Sequence, residues 1–251
     1  MLLPIGDDNR DRRTTPVVTW FLVGLNIFVY VFLQGIGTNT DFTYALAIVP
    51  EEILTGTDIV TTDVVLVDPL SGSQYRISGL KPTPISVYLT LLTSMFMHGG
   101  LAHIIGNMLY LLIFGDNVED RMGHLRFVLF YVSCGLVASF AHVFSMSLLG
   151  ANLTTPTLGA SGAISGVLGA YIVLFPRKRI RVIAFRFLST SMSAVAVVGL
   201  WFLFQLISGI GLFGVGTQTG GVAYAAHIGG FLAGLLLVGL FARRGHGVRP
   251  R

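Results

Sequence analysis

Charge is what this chain has least of. Only 11% of its 251 residues are charged, less than half of the roughly 25% usual in a soluble domain. A chain so poor in charge and 53% hydrophobic is neither an ordinary soluble domain nor a disordered segment. Cysteine is nearly absent too: Cys134 stands alone, which excludes a disulfide framework and a cysteine-based metal site. The pI of about 9.5 would suit a nucleic-acid binder. With a mean hydropathy of +0.77, the basic excess reads instead as membrane topology. The composition is that of an integral membrane protein, and no nucleic-acid partner is expected.

Apolar runs of roughly 17 to 25 residues can cross a bilayer, and six are legible. They cover residues 17–33, 89–114, 125–148, 160–175, 192–210 and 222–242. The first does not read as a cleavable signal peptide, because Asp7, Asp8 and Asp11 sit among the arginines before it and no small-residue cleavage site follows. It reads as an uncleaved signal anchor. Arg10, Arg12 and Arg13 precede span one, and Arg121 and Arg126 flank the turn between spans two and three. Arg177, Lys178, Arg179, Arg181 and Arg186 follow span four; Arg243, Arg244, Arg249 and Arg251 follow span six. With six crossings these fourteen of the sixteen Lys and Arg share one face, and only Arg76 and Lys81 fall on the other. The positive-inside rule makes that face cytoplasmic and puts both termini there.

The fold class expected is therefore an all-α, six-helix membrane bundle forming one domain over residues 1–251. Its long non-cytoplasmic loop, residues 34–88, carries six acids; a connection of that length is usually functional or partly structured. The glycine-rich, uncharged stretch Gly209 to Gly221 suits a mobile cap.

Polar groups inside a span are costly and usually serve a purpose. His103 and Asn107 of span two lie four apart and share a helix face. Span four opens with Gly159-Ala160-Ser161-Gly162, and span six contains Ala226-His227-Ile228-Gly229-Gly230. Ser161 lies sixteen residues before Arg177, and His227 sixteen before Arg243. At about 1.5 Å per residue both stand roughly 24 Å above the cytoplasmic charges, level with each other. His103 and Asn107, counted from Asp116, fall in the same slab on the non-cytoplasmic side of the midplane.

A serine hydroxyl becomes a nucleophile when a neighbouring base takes its proton, and histidine does this near neutral pH. His227 fits that role for Ser161. The span interiors offer no carboxylate at this depth; Asp116, Glu119 and Asp120 lie at the opposite face. The pattern predicts a Ser–His dyad without the usual acidic third member. Asn107, His103 and the first backbone N–H groups of span four supply donors for an oxyanion. Small residues let membrane helices approach closely, and Gly162, Gly166 and Ala170 face that task with Gly230 and Gly234.

Each residue also has a plainer reading. Ser161 alone is an N-cap, His227 alone a buried histidine bonded to a carbonyl, and Ser165 a rival nucleophile one turn deeper. His98 suits a loop-holding role and His142 packing; His124 and His246 have no argued role. A metal site at His98, His103 and His227 lacks any carboxylate or thiol, so no metal and no cofactor are expected. The conjunction at matched depth favours chemistry.

Taken together these motifs resemble the rhomboid intramembrane serine proteases, in their basic six-span bacterial form. His98, His103 and Asn107 match the family's H-x4-H-x3-N pattern, and Gly115 to Gly123 matches G-x3-E-x-R-x-G. Gly159-Ala160-Ser161-Gly162 and Ala226-His227 with Gly230 and Gly234 match the nucleophile and base motifs. The resemblance implies Ser161 as nucleophile, His227 as base and then acid, and His103 and Asn107 at the oxyanion. It implies structural roles for Glu119, Arg121 and His98, and a gate at span five and its following loop. Substrates would be single-span membrane proteins, cut near the outer part of their helix in the cell membrane, at a site opening to the non-cytoplasmic side. The sequence departs from the family in two places. Leu89-Thr90 stand where many members have a Trp-Arg pair, and Ser165 where many have an aromatic that stacks on the histidine. An inactive rhomboid-like protein that binds membrane clients is the alternative, and a transporter or channel the third reading.

Overall fold

A computed structural model describes residues 3–68, 72–184, 188–209 and 223–243. In chain order, β1 (Leu3–Asp7) leads to α1 (Val17–Phe28), which runs on as a π-helix to Leu33. The long loop holds α2 (Thr40–Ala45), α3 (Pro50–Thr55) and a hairpin of β2 (Val64–Val67) and β3 (Gln74–Ile77). A short helix, α4 (Thr90–Thr93), then precedes α5 (Leu101–Met122), α6 (His124–Leu148) and α7 (Ser161–Leu174). The strands β4 (Arg179–Ala184) and β5 (Leu188–Ser193) separate α7 from α8 (Ala194–Gly209), and α9 (Tyr224–Phe241) follows. Among the described residues α5, α6 and α9 are long and apolar enough to cross a membrane; Val17–Leu33, Val87–Phe96, α7 and α8 are shorter apolar helices.

Three expectations change. The chain is mostly helical but not all-α, because the expected cytoplasmic loop after span four is a strand pair. There β1 pairs with β4, and β4 with β5, all antiparallel. In β4, Ile180 and Val182 are fully buried while Arg179 and Arg181 alternate with them, the two-residue period of a half-buried strand. The second change is in span two. Residues 87–96 form their own short helical segment, the chain breaks at Met97 in an extended conformation, and α5 begins only at Leu101. It then continues past the expected end at Phe114 to Met122, so the turn into α6 is Gly123 alone. The third is the start of span five, where Met192 and Ser193 belong to β5. The expected cap at Gly209 to Gly221 lies, but for Gly209, outside the described residues, as do Arg186, Arg244, His246, Arg249 and Arg251.

Helix α7 sits at the centre, packed against α5, α6, α8 and α9. Every residue from Gly162 to Tyr171 is buried, as expected of a helix that is apolar all round. Its 14 residues span about 21 Å, less than a hydrocarbon core of about 30 Å, so surrounding protein must cover its ends. Outward faces carry apolar stripes, such as Leu232, Leu236 and Leu240 of α9, spaced one helical turn apart. In water such a stripe would be costly; against lipid tails it is at home.

The acids at the end of α5 fasten the N-terminal segment. Glu119, fully buried, accepts from the Val18 and Thr19 backbone N–H groups and the Thr19 hydroxyl at 2.9, 2.7 and 2.7 Å. These are first-turn donors of α1 that have no helical partner of their own. Asp116 accepts from Arg12 Nη1 at 2.6 Å, and Asp120 from the Thr14 backbone N–H at 2.7 Å. Arg76 and Lys81, the two cations expected on the far face, both pair with Asp63 beside the β2–β3 hairpin.

At the end of β1, Asp7 accepts from the Tyr171 hydroxyl at 2.5 Å and Asn117 Nδ2 at 2.8 Å, while its Oδ1 is buried without a partner among the described residues. Burial pushes this carboxyl up from 3.8 to about 6, with Asp116 adding to the rise and the Tyr171 hydrogen bond and Lys178 opposing it. The folded chain therefore holds this proton more tightly than the unfolded chain. The associated stability is complete below the unfolded value and is lost as pH rises through about 6. Asp7→Asn, which carries no charge to desolvate, is expected to gain about 1–2 kcal/mol at pH 8 after solvent screening. Thermal unfolding in detergent at pH 8 and pH 4 checks this: the gain should vanish at the lower pH, and an equal gain at both would contradict it.

Candidate active site

The site is built where α5, α7, α8 and α9 begin or end near one another. Ser161 is the first residue of α7, so its backbone N–H lacks an intrahelical acceptor and stands at the positive end of the helix dipole. His227 lies one turn into α9. Its Nε2 is 2.8 Å from Ser161 Oγ. Ser165, the rival nucleophile, donates its hydroxyl to the Ser161 carbonyl at 2.6 Å and is buried, which leaves it paired into its own helix.

The close approach of α7 and α9 makes the contact possible. A Cβ added to Gly230 would stand 2.1 Å from the Gly162 carbonyl oxygen, and one on Gly234 2.0 Å from that of Gly166. Gly162 itself faces α6, where a Cβ would meet that of Ala138 at 2.6 Å. The two helices therefore touch backbone to backbone directly below the Ser161–His227 pair.

His103, one turn into α5, accepts from the Gly99 backbone N–H through Nδ1 at 3.3 Å, which in the neutral ring leaves Nε2 as the donor. That nitrogen would be 3.0 Å from a Cβ on Gly159, and Ser161 Oγ would be 3.6 Å from the same point. Gly159 has φ +131, a conformation that disfavours any side chain. Glycine is needed here twice, for the backbone angle and for the space between His103 and Ser161. Asn107, one turn further on the same face of α5, is buried, and its Nδ2 has no hydrogen-bond partner among the described residues. A buried amide donor left unpaired is uncommon and calls for a use.

His98 is fully buried, its ring edge-on to His103 with centroids 5.1 Å apart. Gln34 grips its backbone in both directions, accepting from the His98 N–H at 2.9 Å and donating to its carbonyl at 3.0 Å. His142 meets the Thr157 hydroxyl at 2.9 Å, and with Met95, Ala138 and Ser139 it lines a cavity of about 30 Å³ beside Ser161. Arg121 lies in the last turn of α5, where its carbonyl accepts from the Arg243 backbone N–H at 3.1 Å. His124, given no role from sequence, meets Glu119 at 2.6 Å. Among the described residues no group of three His, Cys, Asp or Glu could hold a metal ion.

Sequence reasoning missed two neighbours of His227, both on α8. Gln205 of α8 is buried, and its Oε1 lies 2.8 Å from His227 Nδ1. Trp201, one turn earlier on the same helix, leans over the imidazole with centroids 6.1 Å apart and planes at 37°. The signal was present: a glutamine within the apolar run Ala194–Gly209 is a polar group in a span.

A helical membrane protein with a serine and a histidine joined in its interior is the class these observations define. Residues 86–244 match the Rhomboid domain family, and the chain belongs to the rhomboid family. It is 37% identical over 238 residues to Rhomboid protease GluP of Bacillus subtilis, covering 91% of this chain and 37% of that protein. It is 30% identical over 157 residues to Rhomboid protein 1, mitochondrial, of Saccharomyces cerevisiae, covering 62% of this chain and 43% of that one. It is also 28% identical over 185 residues to the mouse Presenilin-associated rhomboid-like protein, mitochondrial, covering 69% and 46% respectively. The chain thus spans less than half the length of each of these relatives.

Proposed function

We propose that this chain is an intramembrane serine endopeptidase working with a Ser161–His227 dyad. The observation that carries the reading is the 2.8 Å contact between His227 Nε2 and Ser161 Oγ. Ser161 attacks the scissile carbonyl while His227 takes its proton, and the carbonyl π pair moves onto oxygen. The Ser161 backbone N–H, His103 Nε2 and Asn107 Nδ2 receive that oxyanion; the orphaned Asn107 amide is a donor held ready for it. His227 then returns the proton to the leaving amine as the C–N bond breaks, and water releases the acyl group by the same route in reverse. His98, held by Gln34, keeps His103 in place, Glu119 and Arg121 tie α5 to its neighbours, and Gly159, Gly162, Gly230 and Gly234 provide the close approaches.

The substrates proposed are single-span membrane proteins. A helical segment has its backbone already paired, so the bond to be cut must unwind near the outer part of the helix. The cavity of about 30 Å³ beside Ser161 has room for a water or a methyl-sized group, which favours a small side chain at the cleaved residue. The topology proposed is six crossings in one domain over residues 1–251, both termini cytoplasmic, in the cell membrane. The site opens to the non-cytoplasmic side. The bank of fourteen Lys and Arg on one face supports that orientation.

The reading is tested by reconstituting wild type and Ser161→Ala in vesicles with a generic single-span substrate. Cleavage by wild type alone is expected. Equal cleavage by both would remove Ser161 from the chemistry, and cleavage by neither would favour a client-binding rhomboid-like protein. In the same assay Asn107→Ala is expected to lower kcat by about 100-fold with little change in KM, the usual cost of one oxyanion donor. An unchanged kcat would take Asn107 out of the oxyanion site.

A further inference from the structure

A dyad leaves one end of its histidine unexplained. For Nε2 of a neutral imidazole to accept the Ser161 proton, the other nitrogen must carry the ring hydrogen. An Asp usually secures that tautomer, and among the described residues no carboxylate bonds to Ser161 or His227. Position 165, where many rhomboid proteases carry an aromatic that stacks on the histidine, is here a serine turned back onto the Ser161 carbonyl. Something else must set both the tautomer and the tilt of this ring.

We propose that Gln205 is the positioning residue of the site, its Oε1 accepting the Nδ1 hydrogen of His227 and thereby leaving Nε2 free to take the Ser161 proton. The proposal rests on the reading of Ser161 and His227 as nucleophile and base. Three observations support it. The Gln205 oxygen and the Ser161 hydroxyl sit at opposite ends of one imidazole, each at 2.8 Å. The residue is buried within a helix whose other buried residues are Ala194, Val197, Val198 and Ser208, where a glutamine without a partner would be costly. Trp201 and Gln205 are four residues apart and share one face of α8, so a single helix supplies the ring contact and the acceptor.

The chemistry balances without Gln205 changing state. In attack, the Oγ–C bond forms, the Oγ–H proton moves to Nε2, and His227 becomes an imidazolium. Both ring nitrogens then donate, and the neutral amide oxygen accepts from Nδ1 before and after the transfer. An amide lacks the charge of an Asp, so it fixes orientation and tautomer while adding little to the basicity of His227. The arrangement also makes the site depend on where α8 sits. Moving α8 away from α9 would break the Gln205 contact and free the ring to adopt the wrong tautomer.

The test compares wild type, Gln205→Leu and Gln205→Glu in the same vesicles, reading kcat, KM, fluorophosphonate labelling rate and thermal midpoint. Gln205→Leu keeps the apolar bulk and removes the acceptor; kcat and the labelling rate should fall together by about tenfold, the worth of one such hydrogen bond. KM should stay within about twofold, because substrate binding is untouched. Gln205→Glu presents an acceptor at the same reach, and should keep kcat within about threefold. A fully active Gln205→Leu would overturn the assignment, and so would equal losses in Leu and Glu. Should Gln205→Leu fail to fold, Gln205→Glu against the one-carbon-shorter Gln205→Asn makes the same comparison, and equal activity in those two would overturn it. Wild type that cleaves and Ser161→Ala that does not, alongside an indifferent Gln205→Leu, would sink this proposal alone. Inactive wild type would sink the reading beneath it.

Discussion

His227→Ala should cost about 1,000-fold or more in kcat, the upper part of what a positioned general base supplies. The reason is that no other described group is placed to take the proton. The neutral His103 ring presents its Nε2 hydrogen rather than a lone pair beside Ser161, and His227 alone offers an acceptor. The imidazole nitrogen is 2.8 Å from the serine oxygen, and the acids that could substitute for it, Asp116, Glu119 and Asp120, are bound to the N-terminal segment at the far end of α5. The loss should fall on kcat rather than KM, because proton removal is needed in the transition state and not for binding. It should also exceed the losses in Asn107→Ala and Gln205→Leu, which remove a donor and an orienting contact but leave the base. Steady-state kinetics of the purified variants, with thermal midpoints alongside, checks the ranking. A His227→Ala variant within tenfold of wild type would show that the serine, if it reacts, is activated otherwise.

The second large effect comes from one methyl group. Gly234→Ala would put a Cβ 2.0 Å from the Gly166 carbonyl oxygen. The atom it meets is backbone, so neither a rotamer change nor a small side-chain shift relieves the contact, and α7 and α9 must move apart. The expected cost is about 3 kcal/mol or more, the severe end of overpacking. Because the same helix pair carries Ser161 and His227, whatever protein still folds should have lost the contact between them and most of its activity. Gly239→Ala is the control on the same helix. Gly239 has nothing within 4 Å of the added Cβ, and replacing a helical glycine by alanine gains about 0.5–1 kcal/mol. Thermal midpoints of the pair in detergent should move in opposite directions; similar shifts in both would mean that the helices are not in backbone contact at Gly234.

These expectations rest on features that differ in how plainly the sequence displays them. The apolar runs at 125–148, 160–175 and 222–242 lie within two residues of α6, α7 and α9, because a helix core of that length leaves a strong hydropathy signal. The end of span two is different. Asp116, Glu119, Asp120 and Arg121 look like the start of a loop, yet α5 continues through them. Charges can occupy that last stretch because Arg12, Thr14 and the first turn of α1 bond to them, and such partners lie about 100 residues away in the chain. The break before α5 was visible as Gly99-Gly100, a pair that punctuates helices, but it was absorbed into a longer apolar run.

The strands show how one pattern hides inside another. Arg179-Ile180-Arg181-Val182 alternates with the period of a strand, and the same arginines serve as a topology signal, which hides the alternation. Leu3–Asp7 is short and contains Pro4 and Gly6, residue types depleted in strands, so it does not announce a strand alone; it becomes one because β4 offers an open edge. At the candidate site, Ser161, His227, His103 and Asn107 stand out in the sequence because each is polar in an apolar run and their counted depths agree. Gln205 satisfies the same criterion of polarity. Its partner could not be read, because only the packing of α8 on α9 reveals that the amide reaches Nδ1.

The proposed chemistry stands on Ser161 as the nucleophile, activated by His227. Peptide mass spectrometry of the reconstituted protein after fluorophosphonate treatment tests it most directly, since the adduct reports where the reactive oxygen is. A single adduct on Ser161 is expected in wild type, none on Ser165, and no adduct in His227→Ala. An adduct on Ser165 or elsewhere, or undiminished labelling of Ser161 without His227, would contradict it.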